Sequence, residues 1–265
     1  MAEPDGRDAL YQDLHHGQLS AQEEANRVSA DFLLDRLFAH YRPASDLDVG
    51  CGIGTWLDVA RAKGVKDILG IEGQWLDRNL ARVPAAQIVD LDLEQPFDLA
   101  RRFDLVITLE VAEHLSARAA AGFVAALVRH ADVVLFSAAI PFQGGHHHVN
   151  EQFLDYWQRL FQAHGYVAVD FLRPLIWDNP SILWWLRQNI VVLAKEALTK
   201  GNGPFAGVGS GGPLSIVHPD IYADRMKMNQ RIAEEHAKLV GLFSSGGMFA
   251  VTRHENGQIT INKVG

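Results

Sequence analysis

Residues 46–56 read D-L-D-V-G-C-G-I-G-T-W, and the rest of the chain is interpreted from this stretch outward. Leu47, Leu-flanked Asp48 and Val49 make a short strand. Gly50, Gly52 and Gly54 then form a turn in which the backbone approaches a ligand with no Cβ atoms in the way, and a helix begins near Thr55. The turn lacks the Gly-Lys-Ser/Thr ending that serves nucleotide phosphates. Its glycines are spaced G-x-G-x-G, where a dinucleotide fingerprint has G-x-G-x-x-G. Asp48, just before the first glycine, would repel a pyrophosphate and attract a cationic ligand.

Downstream, Trp56, Leu57, Val59 and Ala60 give a helix an inward face until Gly64 ends it. A second strand at 67–71 closes on Glu72-Gly73. Glu72 stands 18 residues after Gly54, where the carboxylate of a βαβ unit accepts hydrogen bonds from ribose hydroxyls. A third strand at 86–89 runs into Asp90-Leu91-Asp92-Leu93. The near-continuous apolar run 103–109 is a central parallel strand, followed at its carboxyl edge by Glu110-Val111-Ala112-Glu113-His114. Ser116 is expected to cap a helix to His130, and a fifth strand spans 133–137. The loop 138–150 contains Gly144, Gly145, His146, His147 and His148. Then come a helix with Phe153, Tyr156, Trp157, Leu160 and Phe161, a strand at 167–172, a short helix carrying Trp184 and Trp185, and a last strand at 190–193.

Upstream, a helix starts at Ser20, with Glu23 completing a capping box and Val28, Phe32, Leu33, Leu37 and Phe38 forming its stripe. Residues 1–19 are polar, with Tyr11, His15 and His16 their notable side chains. Residues 198–215 are a glycine-rich loop of a length more often functional or mobile than structural. A long helix at 218–243, with Pro219 in its first turn, precedes a hairpin at 248–264 turning at Asn256-Gly257.

At the 46–56 stretch and over about residues 45–172 the chain resembles the class I S-adenosylmethionine-dependent methyltransferases. The resemblance implies an α/β fold: a doubly wound, seven-stranded, mostly parallel Rossmann-like sheet with a C-terminal helical and hairpin extension. The implied division is N-terminal cap helices at 1–43, a methyltransferase domain at 44–195 and an extension at 196–265. A leading helix that closes over the cofactor is also implied. S-adenosylmethionine would be held by Asp48, Gly50, Cys51, Gly52, Gly54 and Trp56 of the first loop, by Glu72 and Gly73 after the second strand, and by Leu109 and Glu110 after the fourth. The acid facing adenine is Asp90 or Asp92, with Leu91 or Leu93 packing on the ring; Asp92 is favoured because a D-L-x-x-P-F sequence begins there.

The E-x-x-E-H sequence is the second functional signal. On a helical turn Glu110 would share a face with Glu113 at i+3 and His114 at i+4, and a divalent cation would relieve the repulsion of the two carboxylates. The motif is similar to that of the ubiquinone-pathway catechol O-methyltransferases and of the enzymes that methylate the terminal 2′-hydroxyl of small RNAs, both of which place a metal here. In the RNA group a further histidine comes from an H-x-x-E context, matched by His148-Val149-Asn150-Glu151. The implied ligands are Glu110, Glu113, His114 and His148, for magnesium or manganese ahead of zinc or iron. Related methyltransferases also carry the motif without a metal, and then His148, or His146 or His147, is the general base. The catalytic candidates are therefore His148, His114 and His147.

The stretches G-I-E-G-Q-W (70–75) and Q-G-G-H-H-H-V-N-E-Q (143–152) resemble bacterial methyltransferases of glycan and natural-product assembly. Trp75, Trp177, Trp184 and Trp185 are candidates to stack on a sugar or aromatic face. The expected activity is O-methylation of a small hydroxylated substrate, a sugar or glycosylated natural product, with divalent-metal assistance. The alternatives are an RNA 2′-O-methyltransferase, a metal-independent enzyme with a loop-histidine base and an O or N acceptor, and a non-catalytic cofactor-binding module. Composition weighs among these. Lys and Arg total 24 against 32 acids, a net charge of −8, which disfavours nucleic acid as a partner. A single cysteine, Cys51, permits no internal disulfide and fits a reducing compartment. The start is neither basic nor apolar, and no apolar stretch reaches transmembrane length. A soluble cytoplasmic protein with no membrane partner is expected, and a homo-oligomer is left open. With 265 residues, 48% of them hydrophobic, the chain can bury one sizeable core with an added lobe.

Overall fold

The computed structural model describes residues 19–209, 212–244, 246, 248–253 and 259–264. Tyr11, His15, His16 and the Asn256-Gly257 turn lie outside the described residues. The chain divides into two compact units, Met1–His218 and Pro219–Gly265.

The first unit opens with α1 (Leu19–His40), which buries Ala30, Leu33, Leu34, Leu37 and Phe38. Next come β1 (Ser45–Val49), α2 (Thr55–Ala62), β2 (Asp67–Glu72), β3 (Ile88–Asp90), β4 (Leu105–Leu109), α3 (Ala120–His130) and β5 (Val133–Ser137). They are followed by α4 (Leu154–Gln162), β6 (Tyr166–Val169), α5 (Leu172–Ile176), α6 (Trp184–Asn189) and β7 (Val191–Lys195). The seven strands make one sheet in the order β3-β2-β1-β4-β5-β7-β6. Strands β1 to β5 are parallel, and β7 runs antiparallel to both of its neighbours. This is the doubly wound, mostly parallel sheet expected from the sequence.

Strand alternation divides the core into two layers. Leu47, Val49, Val106, Val134 and Phe136 face α3 and α4, where Phe123, Leu127, Trp157 and Phe161 are buried. Leu105, Ile107, Leu135 and Val192 face α1 and α2. Each fully buried side chain of this size contributes about 1.5–3 kcal/mol. After β3 the chain crosses back over β1 to enter β4. The carboxyl ends of β1 and β4 are therefore adjacent at the point where the winding reverses, where an open α/β sheet leaves its crevice.

Three local expectations change. Ser116 does not cap α3, because its amide and hydroxyl both donate to Glu94, at 2.6 and 2.7 Å, and the helix starts at Ala120. Helix α1 already includes Leu19, ahead of the Ser20 expected to cap it, and Glu23 accepts from Thr55 Oγ1 at 2.7 Å. The strand expected to reach Leu172 stops at Val169, since Asp170 takes Arg173 in a two-point pair of 3.0 and 2.5 Å that folds the chain into α5. Pro174 is accommodated there in the first turn, where its missing N–H is not needed.

Residues 196–218 belong to the first unit. A short 3₁₀ turn at Glu196–Thr199 leads to Phe205, fully buried with its ring 5.9 Å from Tyr41 and 6.4 Å from Phe171. Further on, Arg173 Nη1 donates to Leu214 O at 2.9 Å, Gln188 Nε2 to Ile216 O at 2.7 Å, and His218 N to Gln188 Oε1 at 2.6 Å. The second unit contains α7 (Pro219–Ser244) and an antiparallel pair, β8 (Met248–Arg253) with β9 (Ile259–Val264). Among the described residues no helix is long and apolar enough to cross a membrane.

Candidate functional site

A cavity of about 550 Å³ opens at the β1/β4 edge, within the ~300–1,000 Å³ usual for small-molecule sites. Its floor is the glycine turn. Gly50, Gly52 and Gly54 have φ of +80°, +53° and +83°, a region that favours residues without Cβ. A Cβ on Gly50 would also stand 2.4 Å from Val111 Cγ2, whereas on Gly52 it would meet nothing within 4 Å. The turn is held to β2 by the Gly50 and Cys51 amides, which donate to Ile71 O at 2.9 and 3.0 Å.

Helix α1 is tied to the residues that follow this turn. Trp56 Nε1 donates to Asn26 Oδ1 at 2.9 Å, and Thr55 Oγ1 to Glu23. Asp48, Gly50, Cys51, Gly52, Trp56, Leu109 and Glu110 all line the cavity, as do Gln22, Glu23 and Asn26. Burial, with Asp46 and Glu72 adding repulsion, pushes the Asp48 carboxyl well above the usual carboxylate range. Glu72 accepts from Gly52 N at 2.6 Å and Gly73 N at 2.8 Å. Burial raises its pKa to about 7 against the pull of those two amides.

The remaining predicted cofactor residues sit outside the lining. Gly54 and Gly73 are backbone turns behind it, and a Cβ on Gly73 would meet Trp75 Nε1 at 2.0 Å. Asp90 pairs with Arg78 Nη2 at 2.5 Å, while Asp92 accepts from Glu94 N at 3.0 Å. Leu91 and Leu93 pack against the α3/α4 layer.

The E-x-x-E-H stretch does not form one helical turn. Only Ala112–His114 is helical, and Glu110 has φ +54°. The cause is β5: the Glu110 amide is held by Ser137 O and Ser137 Oγ, each at 3.1 Å. The Glu110 carboxylate is clamped by amides from two other elements. Asn189 Nδ2 donates to Oε1 and Oε2 at 3.0 and 3.2 Å, and Gln143 Nε2 to Oε2 at 3.0 Å. Burial raises the Glu110 pKa, and Asn189, Ser137 and Gln143 oppose the rise.

Glu113, His114 and His148 come together without Glu110: one ligand atom from each lies within 4.8 Å of the others. The loop is drawn to the turn by Val149 N and Asn150 N, which donate to the Glu113 carbonyl at 2.9 and 3.0 Å. Glu113 is fully buried, and neither carboxylate oxygen has a hydrogen-bond partner of normal geometry. Burial and then the neighbouring Glu110 charge raise its pKa far above the usual range, although the amides of Glu113 and Ala139 come close enough to oppose this. Burial first, and then His148, lowers the His114 pKa to about 4, so its imidazole is neutral. The His148 ring meets His114 edge-on at 5.0 Å, and its Nδ1 is 2.9 Å from Glu151 Oε1, leaving Nε2 for a ligand. His146 lines the cavity; His147, at φ +55°, does not.

Trp184 and Trp185 line the opposite wall with rings at 83° and 5.4 Å. Trp177 instead packs on His218 at 4.5 Å. Asn189 and Gln143 were not legible as site residues, since Asn189 reaches Glu110 across 79 positions. Glu151 was legible only as part of the H-x-x-E context.

Comparison with known proteins agrees with this geometry. Residues 21–178 match a family model described as a methyltransferase domain. No curated protein matches the chain by sequence. Among solved structures, the sugar N-methyltransferase KedS8 from Streptoalloteichus sp. ATCC 53650 is 18% identical with a TM-score of 0.52, covering 74% of this chain and 94% of its own. DesVI from Streptomyces venezuelae is 17% identical with a TM-score of 0.50, covering 72% and 99%.

Proposed function

Because the chain belongs to the methyltransferase-domain family and has its S-adenosylmethionine-binding fold, we propose that it methylates a hydroxyl of a small, non-anionic substrate, a sugar or glycosylated natural product, with a divalent metal at Glu113, His114 and His148. One observation carries the metal: a fully buried carboxylate with two unpartnered oxygens stands beside two histidines. Ionising a buried carboxyl beside a second carboxylate is costly, and a cation would remove that cost. One carboxylate and two imidazoles suit manganese, iron or zinc better than magnesium, which prefers an oxygen shell. Glu110, engaged by Asn189 and Gln143, is left out of this donor set.

Bound S-adenosylmethionine supplies an electrophilic methyl group on a sulfonium, and the metal supplies a Lewis acid that makes a hydroxyl easier to ionise. The chain's own residues arrange the rest. Asp48 and Glu23 place carboxyl groups at the cofactor end, where a bound cation would favour the ionised form of Asp48. Glu151 fixes the His148 ring so that Nε2 can ligate the metal or accept the acceptor's proton. Trp184 and Trp185 give the far wall flat apolar surface that a sugar face fits. Among the described lining residues none is lysine or arginine, and four are carboxylic acids, Glu23, Asp48, Glu110 and Glu113. Such a wall offers phosphate no lysine or arginine charge among the described residues, which disfavours RNA and phosphorylated acceptors. The same acidic wall, with KedS8 named as a sugar N-methyltransferase, favours an amine acceptor as the second reading.

Calorimetric titration of manganese, zinc and magnesium into metal-stripped protein holding S-adenosylhomocysteine separates the two readings. One saturable site for manganese or zinc is expected, weakened at least about a hundredfold in Glu113→Ala. Absence of binding would remove the metal, give proton uptake to His148 and favour the amine.

A further inference from the structure

The first acid of the E-x-x-E-H stretch stands apart from the Glu113–His114–His148 group, and two buried amides hold it there. Asn189 closes α6 and Gln143 lies in the loop between β5 and α4; each is 3% exposed. Three acceptors surround Asn189 Nδ2: Glu110 Oε1 at 3.0 Å, Glu110 Oε2 at 3.2 Å and Gln143 Oε1 at 3.0 Å. Gln143 Nε2 donates to Glu110 Oε2 at 3.0 Å, while Gln143 Oε1 also accepts from Ile140 N at 3.2 Å. The Ile140 amide fixes the direction of the whole network. It makes Gln143 Oε1 an acceptor, which turns Nε2 toward Glu110, and Asn189 must then present its nitrogen to both. Its own Oδ1 stays buried without a partner. Leaving a buried oxygen unpartnered costs stability, and what it secures is the Glu110 carboxylate.

The consequence falls on the metal. Glu110 and Glu113 both line the cavity, and the Glu110 charge disfavours ionisation of Glu113. Stripped of its amide partners, Glu110 would be a second buried carboxylate with its hydrogen bonds lost, and a bound cation would be the group left to neutralise it. We propose that Asn189 and Gln143 are specificity-determining residues for the metal: by engaging Glu110 they keep it from the cation, so that one carboxylate and two imidazoles choose the ion and its other positions stay open to the acceptor. This role rests on the reading of Glu113, His114 and His148 as metal ligands. It adds that a motif able to supply two carboxylates is cut to one by residues 33 and 79 positions away, which moves the site from magnesium toward manganese, zinc or iron.

The test is calorimetric titration of zinc, manganese and magnesium into the metal-stripped full chain saturated with S-adenosylhomocysteine. It compares wild type with Glu110→Gln, Asn189→Leu, Gln143→Met and the double variant Asn189→Leu/Glu110→Gln. On its own, Glu110→Gln is expected to change zinc affinity by less than about tenfold, well short of the loss in Glu113→Ala. Asn189→Leu is expected to raise magnesium affinity relative to zinc at least about tenfold, and Gln143→Met to move the ratio the same way by about threefold. Adding Glu110→Gln to Asn189→Leu restores the wild-type ratio. Damage to the fold would weaken both ions alike and leave the ratio unmoved. Should Asn189→Leu fail to fold, Gln143→Met and Glu110→Gln decide between them. A ratio unchanged in both amide variants, a shift that survives Glu110→Gln, or a Glu110→Gln variant that loses zinc as Glu113→Ala does would overturn the role of the amides and leave the metal in place. A wild type that binds none of the three ions overturns the metal reading, and the role of the amides with it.

Discussion

Burial raises the pKa of three carboxyls in β1 and β2, Asp46, Asp48 and Glu72. A carboxyl whose folded pKa exceeds its unfolded value keeps a proton that the unfolded chain releases. Stability is then fully present below the unfolded pKa and is lost as pH rises through the folded one. For Glu72 the window runs from 4.5 to about 7, and that rise corresponds to roughly 3 kcal/mol. The urea midpoint of the ligand-free protein is therefore expected to fall between pH 5 and pH 8. Asp46 is the sharper probe, because it is fully buried with both oxygens unpartnered. Asp46→Asn is expected to gain on wild type as pH rises from 5 to 8, flattening the dependence; an equal slope in both would show that Asp46 is not held neutral. Asp48 and Glu72 were legible as site residues because they stand where parallel strands end, and there only a ligand or a backbone amide gives a carboxylate reason to be. Asp46 was not, since nothing among the described residues explains a carboxyl in that apolar layer.

Periodicity placed most helices and strands within a residue or two, because their stripes are local and their buried faces are continuous. It failed where a distant residue decides the backbone. Glu110 leaves the helical region because Ser137, 27 positions on, holds its amide, whereas the early end of β6 has a local cause, the i,i+3 pair of Asp170 with Arg173. Distance again matters for the stretch after β7, which reads as loose because of its glycines. Its order comes from Phe205, whose neighbours Tyr41 and Phe171 are far away in sequence. Phe205→Ala is accordingly expected to cost about 3–5 kcal/mol, as for a large aromatic lost from a packed core. That corresponds to a fall of roughly 6–20 °C in melting temperature. S-adenosylhomocysteine affinity, measured well below the transition, should stay within about twofold. A shift of only a degree or two would return the segment to the status of a surface loop.

At the scale of the molecule, everything that builds the cavity precedes residue 219. The seven strands, both apolar layers, the glycine turn, the Glu113–His114–His148 group and the Trp184–Trp185 wall all belong to Met1–His218. The end of that unit is also secured from within. Arg173 holds Leu214, Gln188 holds Ile216 and His218, and Trp177 packs at a tilt against the His218 ring. Among the described residues the second unit has one helix and a two-stranded antiparallel pair, an arrangement with too little core to be stable alone in water. A division at 218/219 leaves the packing of Phe205 against Tyr41 and Phe171 whole. A fragment ending at His218 is therefore expected to fold, to melt within about 3 °C of the full chain and to bind S-adenosylhomocysteine within about twofold. Calorimetry on the two proteins decides it. A fragment that folds but binds more than tenfold more weakly would overturn the assignment of the cofactor site to residues before 219.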